Sequence, residues 1–142
     1  MSIPPEALRA FRDTEYRVRL PRGGWAVIRI GAPLPRVLHG LLRDEGGPWG
    51  FITAWNPLAQ RIPRARNRER QRALRAALLD RGARLCAGVG AGADDGENAW
   101  RESSLFVTGL DFAALDELGR RFGQAAIVRG TGGGPAELRV LV

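Results

Sequence analysis

The chain of 142 residues contains no lysine, one cysteine, one histidine, one tyrosine and one internal-free methionine at its start. A single cysteine, Cys86, excludes an internal disulfide, and its place in a strand-like run suits an inert, buried thiol. The lone His39 has no Cys, Asp or Glu at ligand spacing, so it reads as an ordinary surface or hydrogen-bonded histidine, and no metal is expected. No apolar run approaches the roughly 20 residues of a membrane span. The N-terminal stretch MSIPPEALRAFRDTEY lacks a charged-then-apolar leader pattern and an acid-poor amphipathic one, so a cytoplasmic protein is expected. No cofactor motif is present either. Gly132-Gly133-Gly134 follows a strand but precedes Pro135 and another strand, so it reads as a hairpin turn without the helix N-terminus of a phosphate-binding loop. Ser103 and Ser104 have no elbow glycines and no plausible histidine partner, which leaves a hydrolase triad unsupported.

What the chain does have is arginine, and it is concentrated. All 22 basic residues are arginine, in a composition rich in Ala and Gly that fits a GC-rich coding bias. Residues 61–75 hold seven of them, at 61, 64, 66, 68, 70, 72 and 75, against Glu69 alone. That segment carries +6 of the overall +7, so the rest of the chain is close to neutral.

The apolar fraction of 44% is that of a globular protein, and the length suits one domain over 1–142. Residues 1–48 read as an N-terminal helix, a hairpin (15–20 and 25–30, turning at Pro21 to Gly24) and a short amphipathic helix around Val37 to Leu42. Residues 49–142 read as strand (50–55), helix (64–81), strand (84–90), strand (102–108), helix (112–122), strand (125–129) and a final strand (136–141). Asp111 is placed to cap the second of these helices, and Gly82 and Gly123 to stop the two. The order β-α-β-β-α-β predicts an α+β two-layer sandwich with a split-βαβ, ferredoxin-like core sheet, to which the N-terminal hairpin and short helices are added.

That topology brings four distant places to one sheet edge: the end of the first core strand, the start of its helix, and the starts of the third and fourth core strands. Amides, hydroxyls, two tryptophans and one carboxylate gather there, namely Thr53, Trp55, Asn56, Asn67, Gln71, Trp100, Glu102, Ser104 and Gln124. Asn67, Gln71, Leu74 and Leu78 share a helical stripe at i, i+4, i+7 and i+11, so two amides point the same way as two core leucines. Asn67 is then a helix cap, a buried amide that ties down the Asn56-Pro57 turn, or a ligand contact. Glu102 is the one carboxylate in the cluster. It pairs with an arginine or serves as an acid or base. The acidic loop Asp94-Asp95-Gly96-Glu97-Asn98 lacks calcium-loop spacing and reads as solvated.

The motifs T-A-W-N-P (53–57), Asn67, W-x-E-x-S (100–104) and F-G-Q-x-A-I (122–127), in this order, resemble a small bacterial family catalogued as domain of unknown function 3293. The resemblance covers roughly residues 14–130 and implies a compact single-domain bacterial protein with no assigned activity. It implies matching positions at Asn56, Asn67, Trp100, Glu102, Ser104 and Gln124. Pro63 stands where the family pattern expects a serine helix cap, and Arg101-Glu102-Ser103 where a Pro-Glu-Glu run is usual.

Three functions follow in order. The first is a binding domain for a small polar or nucleotide-like ligand at the sheet edge, with Trp55 or Trp100 as a stacking surface. The second is an accessory protein that binds nucleic acid or another polyanion through Arg64, Arg68, Arg72 and Arg75, which share one helical face. The third is an enzyme of unknown reaction that uses Glu102.

Overall fold

The computed structural model describes residues 2–92 and 101–142. Trp100 and the acidic loop at 94–98 lie outside the described residues. Seven strands form one antiparallel sheet: β1 (Glu15–Arg19), β2 (Trp25–Ile28), β3 (Pro48–Ile52), β4 (Arg84–Ala91), β5 (Arg101–Thr108), β6 (Ala126–Thr131) and β7 (Glu137–Val140), in the order β2-β1-β4-β5-β3-β6-β7. Three α-helices accompany them: α1 (Pro5–Asp13), α2 (Arg64–Asp80) and α3 (Phe112–Arg121). Mixed helix and strand in one sheet-centred body make this an α+β protein. Among the described residues, no helix is long and apolar enough to cross a membrane.

Helices α2 and α3 cover one face of the sheet. Leu74 and Leu78 of α2 and Leu115 and Leu118 of α3 are wholly buried against Ile52, Leu105, Val107 and Ile127. The i, i+4 spacing in α2 and the i, i+3 spacing in α3 make each pair one stripe, and the two-residue repeat of β5 sends Leu105 and Val107 to the same side. Asp111 caps α3 by accepting a hydrogen bond from the Ala114 amide at 2.8 Å. Helix α2 has no such cap, because Pro63 occupies the position and its side chain accepts nothing.

The opposite face is also buried, which a two-layer sandwich does not require. Tyr16, Val18, Ile28, Trp49, Phe51, Phe106 and Val128 point into a second core, closed by Leu34, Leu38 and Leu42. Leu38 belongs to the expected short amphipathic helix, which is a 3-10 helix over Arg36–Leu41. Bridges between Ile30 and Ala136 and between Pro33 and Pro135 join the chain leaving β2 to the chain entering β7. The two edges of the sheet therefore meet, and the sheet curls around this core. His39 sits beside the seam, its Nε2 3.1 Å from the Leu34 carbonyl oxygen. Cys86 is half-buried, and burial pushes its thiol above the ordinary value, so it stays protonated at neutral pH.

Candidate functional site

The chain leaves β3 through Thr53 and Ala54 and enters an irregular link before α2. Two residues there adopt left-handed backbone, Asn56 (φ 45°) and Leu58 (φ 52°). Asparagine tolerates this region, but a leucine there is strained by an amount of order 1–3 kcal/mol. Side chains of α2 and of the segment after α3 hold the link in place. Gln71 Oε1 accepts from the Ala54 amide at 2.8 Å, and Arg70 Nε donates to the Ala54 carbonyl at 3.1 Å. Arg70 Nη2 also donates to the Phe122 carbonyl, fixing the end of α3 to the same point. Gln124 Nε2 donates to the Trp55 carbonyl at 3.3 Å, and the Leu58 amide donates to the Gly123 carbonyl at 2.7 Å.

Asn67 is the keystone of this link. It is 2% exposed, and its whole amide is used. Its Oδ1 accepts from the Asn56 amide at 2.8 Å, while its Nδ2 donates to Asn56 Oδ1 at 2.9 Å and to the Ile62 carbonyl at 3.4 Å. Asn56 Oδ1 also receives the Ile62 amide at 3.3 Å, and Asn56 Nδ2 donates to Glu102 Oε1 at 3.2 Å. Thr53 donates to the Ser103 carbonyl at 2.7 Å, and Ser104 donates to the Glu102 carbonyl at 3.2 Å. Neither hydroxyl is a free nucleophile.

Beside this network lies a cleft of about 520 Å³. Helix α1 lines it through Ala7, Ala10 and Phe11, together with Trp55, Leu58 and Ala125. The polar side chains Asn56, Glu102, Gln124 and Arg61 are on the same lining. A smaller cavity of about 50 Å³ continues beneath and shares Phe11, Glu102 and Gln124 with the cleft. Thr53, Ser104 and Tyr16 also line this inner cavity. Burial pushes the Tyr16 phenol well above its ordinary value, and the nearby Glu102 charge adds to the rise, while the bond with Thr14 opposes it. Tyr16 donates to the Phe11 carbonyl, which ties α1 to β1.

The residues expected at the edge thus divide into two groups. Trp55, Asn56, Glu102 and Gln124 line the cleft, and Thr53 and Ser104 line the cavity beneath. Asn67 and Gln71 line neither and face the link. Residues that sequence reasoning left unassigned include Phe11 and Ala10 of α1, Leu58 and Ala125. Their packing is apolar and remote in sequence, and no local pattern marks it. Arg70 belongs to the arginine-rich segment 61–75, yet it spends its guanidinium on two carbonyls. Among the described residues, no group of His, Cys, Asp and Glu could hold a metal ion.

Fold and site together define an α+β protein with one curled antiparallel sheet and a small-molecule-sized cleft where the core strands and helices converge. The family model described as "Protein of unknown function (DUF3293)" matches residues 52–127, more than half of the chain, and the protein belongs to that family. The match spans the strained link, α2, the β4–β5 pair and α3, so most of the cleft's polar lining falls inside it. No curated protein and no solved structure matches the chain.

Proposed function

We propose that this protein is a cytoplasmic small-molecule-binding domain whose ligand has an apolar or planar body and an amino-bearing head, as a nucleobase-like group does. The observation that carries this reading is that Glu102 and Gln124 line a cleft of about 520 Å³ together with apolar residues of α1 and with Trp55, Leu58 and Ala125. Small-molecule sites combine a volume of roughly 300–1,000 Å³ with apolar walls and a few placed polar groups. Gln124 donates from Nε2 to the Trp55 and Phe122 carbonyls, which leaves its amide oxygen to accept. Glu102 is a second acceptor, already held by Asn56. Two acceptors on the lining select a ligand that donates. The strained Leu58 on the cleft wall supports the same reading, because backbone strain gathers where a binding surface must be held in one shape.

We further read β3-α2-β4-β5-α3-β6 as a split-βαβ unit of the ferredoxin-like kind. Its strands lie in the order β4-β5-β3-β6 with antiparallel neighbours, and each helix links two parallel strands with one strand between them. The cleft would then sit at the edge where that unit gathers its strand and helix ends.

The test is calorimetric titration and thermal shift with aminopurine nucleosides, arylalkyl amines and the carboxylates of matching shape. Amines and amino-heterocycles should raise the melting temperature and the acids should not. Glu102→Gln should weaken the best binder at least tenfold, with the unliganded melting temperature little changed. Equal binding of the acids, or binding indifferent to Glu102→Gln, would reject the assignment.

A further inference from the structure

We infer that the exposed face of α2 carrying Arg64, Arg68, Arg72 and Arg75 docks the phosphate backbone of a nucleic-acid duplex, a surface separate from the cleft. At 100° per residue these four positions fall within about 80° of arc, and at 1.5 Å rise they extend over about 16 Å. All four are exposed, and among the described residues none makes a side-chain hydrogen bond or an ion pair.

Arginines elsewhere in the described chain are frequently matched. Arg29 pairs with Glu15, Arg81 with Glu117, and Arg129 and Arg139 with Asp116. A bias toward arginine over lysine leaves net charge unchanged, so it does not account for the segment 61–75 holding +6 while the rest of the chain holds +1. The acids of α2, Glu69 and Asp80, lie about 60° or more outside the arginine arc. Like charges at i, i+4 repel by about 0.2–0.5 kcal/mol per pair, so the unliganded helix bears this arrangement at a cost. The first turn deepens the field. It has no acidic residue and no capping side chain, so its free amides and positive dipole end add to the arginines.

The chemistry selects a polyanion with regularly spaced charges along a rigid line. No aromatic residue occurs anywhere in α2 to stack an unpaired base. Single-strand binders combine charge with such stacking platforms, whereas duplex backbone contacts need charge alone. The face therefore suits a duplex, and it carries no means of reading sequence.

Fluorescence anisotropy with short random-sequence duplex DNA and duplex RNA, across about 50 to 200 mM salt, tests the inference. Four phosphate contacts give a slope of log affinity against log salt of about −3.6, which is about a hundredfold loss over that range. The quadruple variant of Arg64, Arg68, Arg72 and Arg75 to Gln should lose binding and keep its circular dichroism spectrum, and the corresponding Lys variant should keep binding. A charge-matched variant with Arg9, Arg12, Arg22 and Arg36 changed to Gln, all exposed and away from α2, should bind as the parent does. Equal loss in that control would show net charge alone at work and overturn the inference. Tighter binding to polyglutamate than to either duplex at equal salt would overturn it as well, in favour of an acidic protein partner.

Discussion

Replacing Asn67 by leucine tests whether the link before α2 is held by one buried amide. Leucine keeps the branch at Cγ, is somewhat bulkier, and keeps a good helix former in α2, so the change falls chiefly on hydrogen bonds. The Asn56 amide loses its acceptor at 2.8 Å, and Asn56 Oδ1 loses the shorter of its two donors, at 2.9 Å. The Ile62 carbonyl loses a contact at 3.4 Å, which is long enough to count for little. Each polar group stranded away from water costs about 1–3 kcal/mol, so two such groups cost about 2–6 kcal/mol. Leucine recovers roughly 1–2 kcal/mol by burying more apolar surface. A net loss of about 2–3 kcal/mol follows, against a total stability of about 5–15 kcal/mol for a domain. At about 4 °C per kcal/mol for a chain near this size, the melting temperature should fall by roughly 10 °C. Gln71→Leu provides the scale. It strands the Ala54 amide but sacrifices no donor bond, since Gln71 Nε2 is buried without a partner among the described residues, so its loss should be roughly half as large. Urea titration followed by far-ultraviolet circular dichroism measures both. A loss below about 1 kcal/mol for Asn67→Leu, or a larger one for Gln71→Leu, would refute the ranking and return Asn67 to the role of a ligand contact.

Two further outcomes are specific. The chain has a single tyrosine, so phenolate absorbance reports Tyr16 alone. Its folded pKa is raised, so its contribution to stability is complete below the unfolded value of about 10 and is lost as pH rises beyond it. Absorbance at pH 10.5, about half a unit above that value, should stay that of the neutral phenol while the circular dichroism remains native; a midpoint near 10 in the folded protein would contradict the burial. Gly130→Ala would bring a Cβ to 2.5 Å from Cζ2 of the wholly buried Trp49. An indole packed in a closed core has little room to retreat, so a loss of about 1–3 kcal/mol is expected in the same urea titration, and an unchanged midpoint would show that the second core is loosely packed.

By itself the sequence predicted the order and kind of the helices and strands and, for α2 and α3, the side that faces inward. The leucine stripes of α2 and α3 are local periodicities, and local periodicity is what decides an amphipathic face. It also marked Asn56-Pro57 as the place where β3 must stop and put Asn67 and Gln71 on the inward face of the next helix. Tertiary structure alone decided what those inward groups meet. The bond from Asn56 to Glu102 joins residues 46 apart, and that from Gln124 to Trp55 joins residues 69 apart, so no window of sequence contains both partners. Periodicity likewise reports that a strand has an apolar face but not what covers it. The outer face of the sheet could have been solvated; it is a second core because the chain after β2 meets the chain before β7. The cleft belongs to the same category. It exists because α1 lies over an edge made by residues far along the chain, and a helix that short carries no local signal of where it will rest.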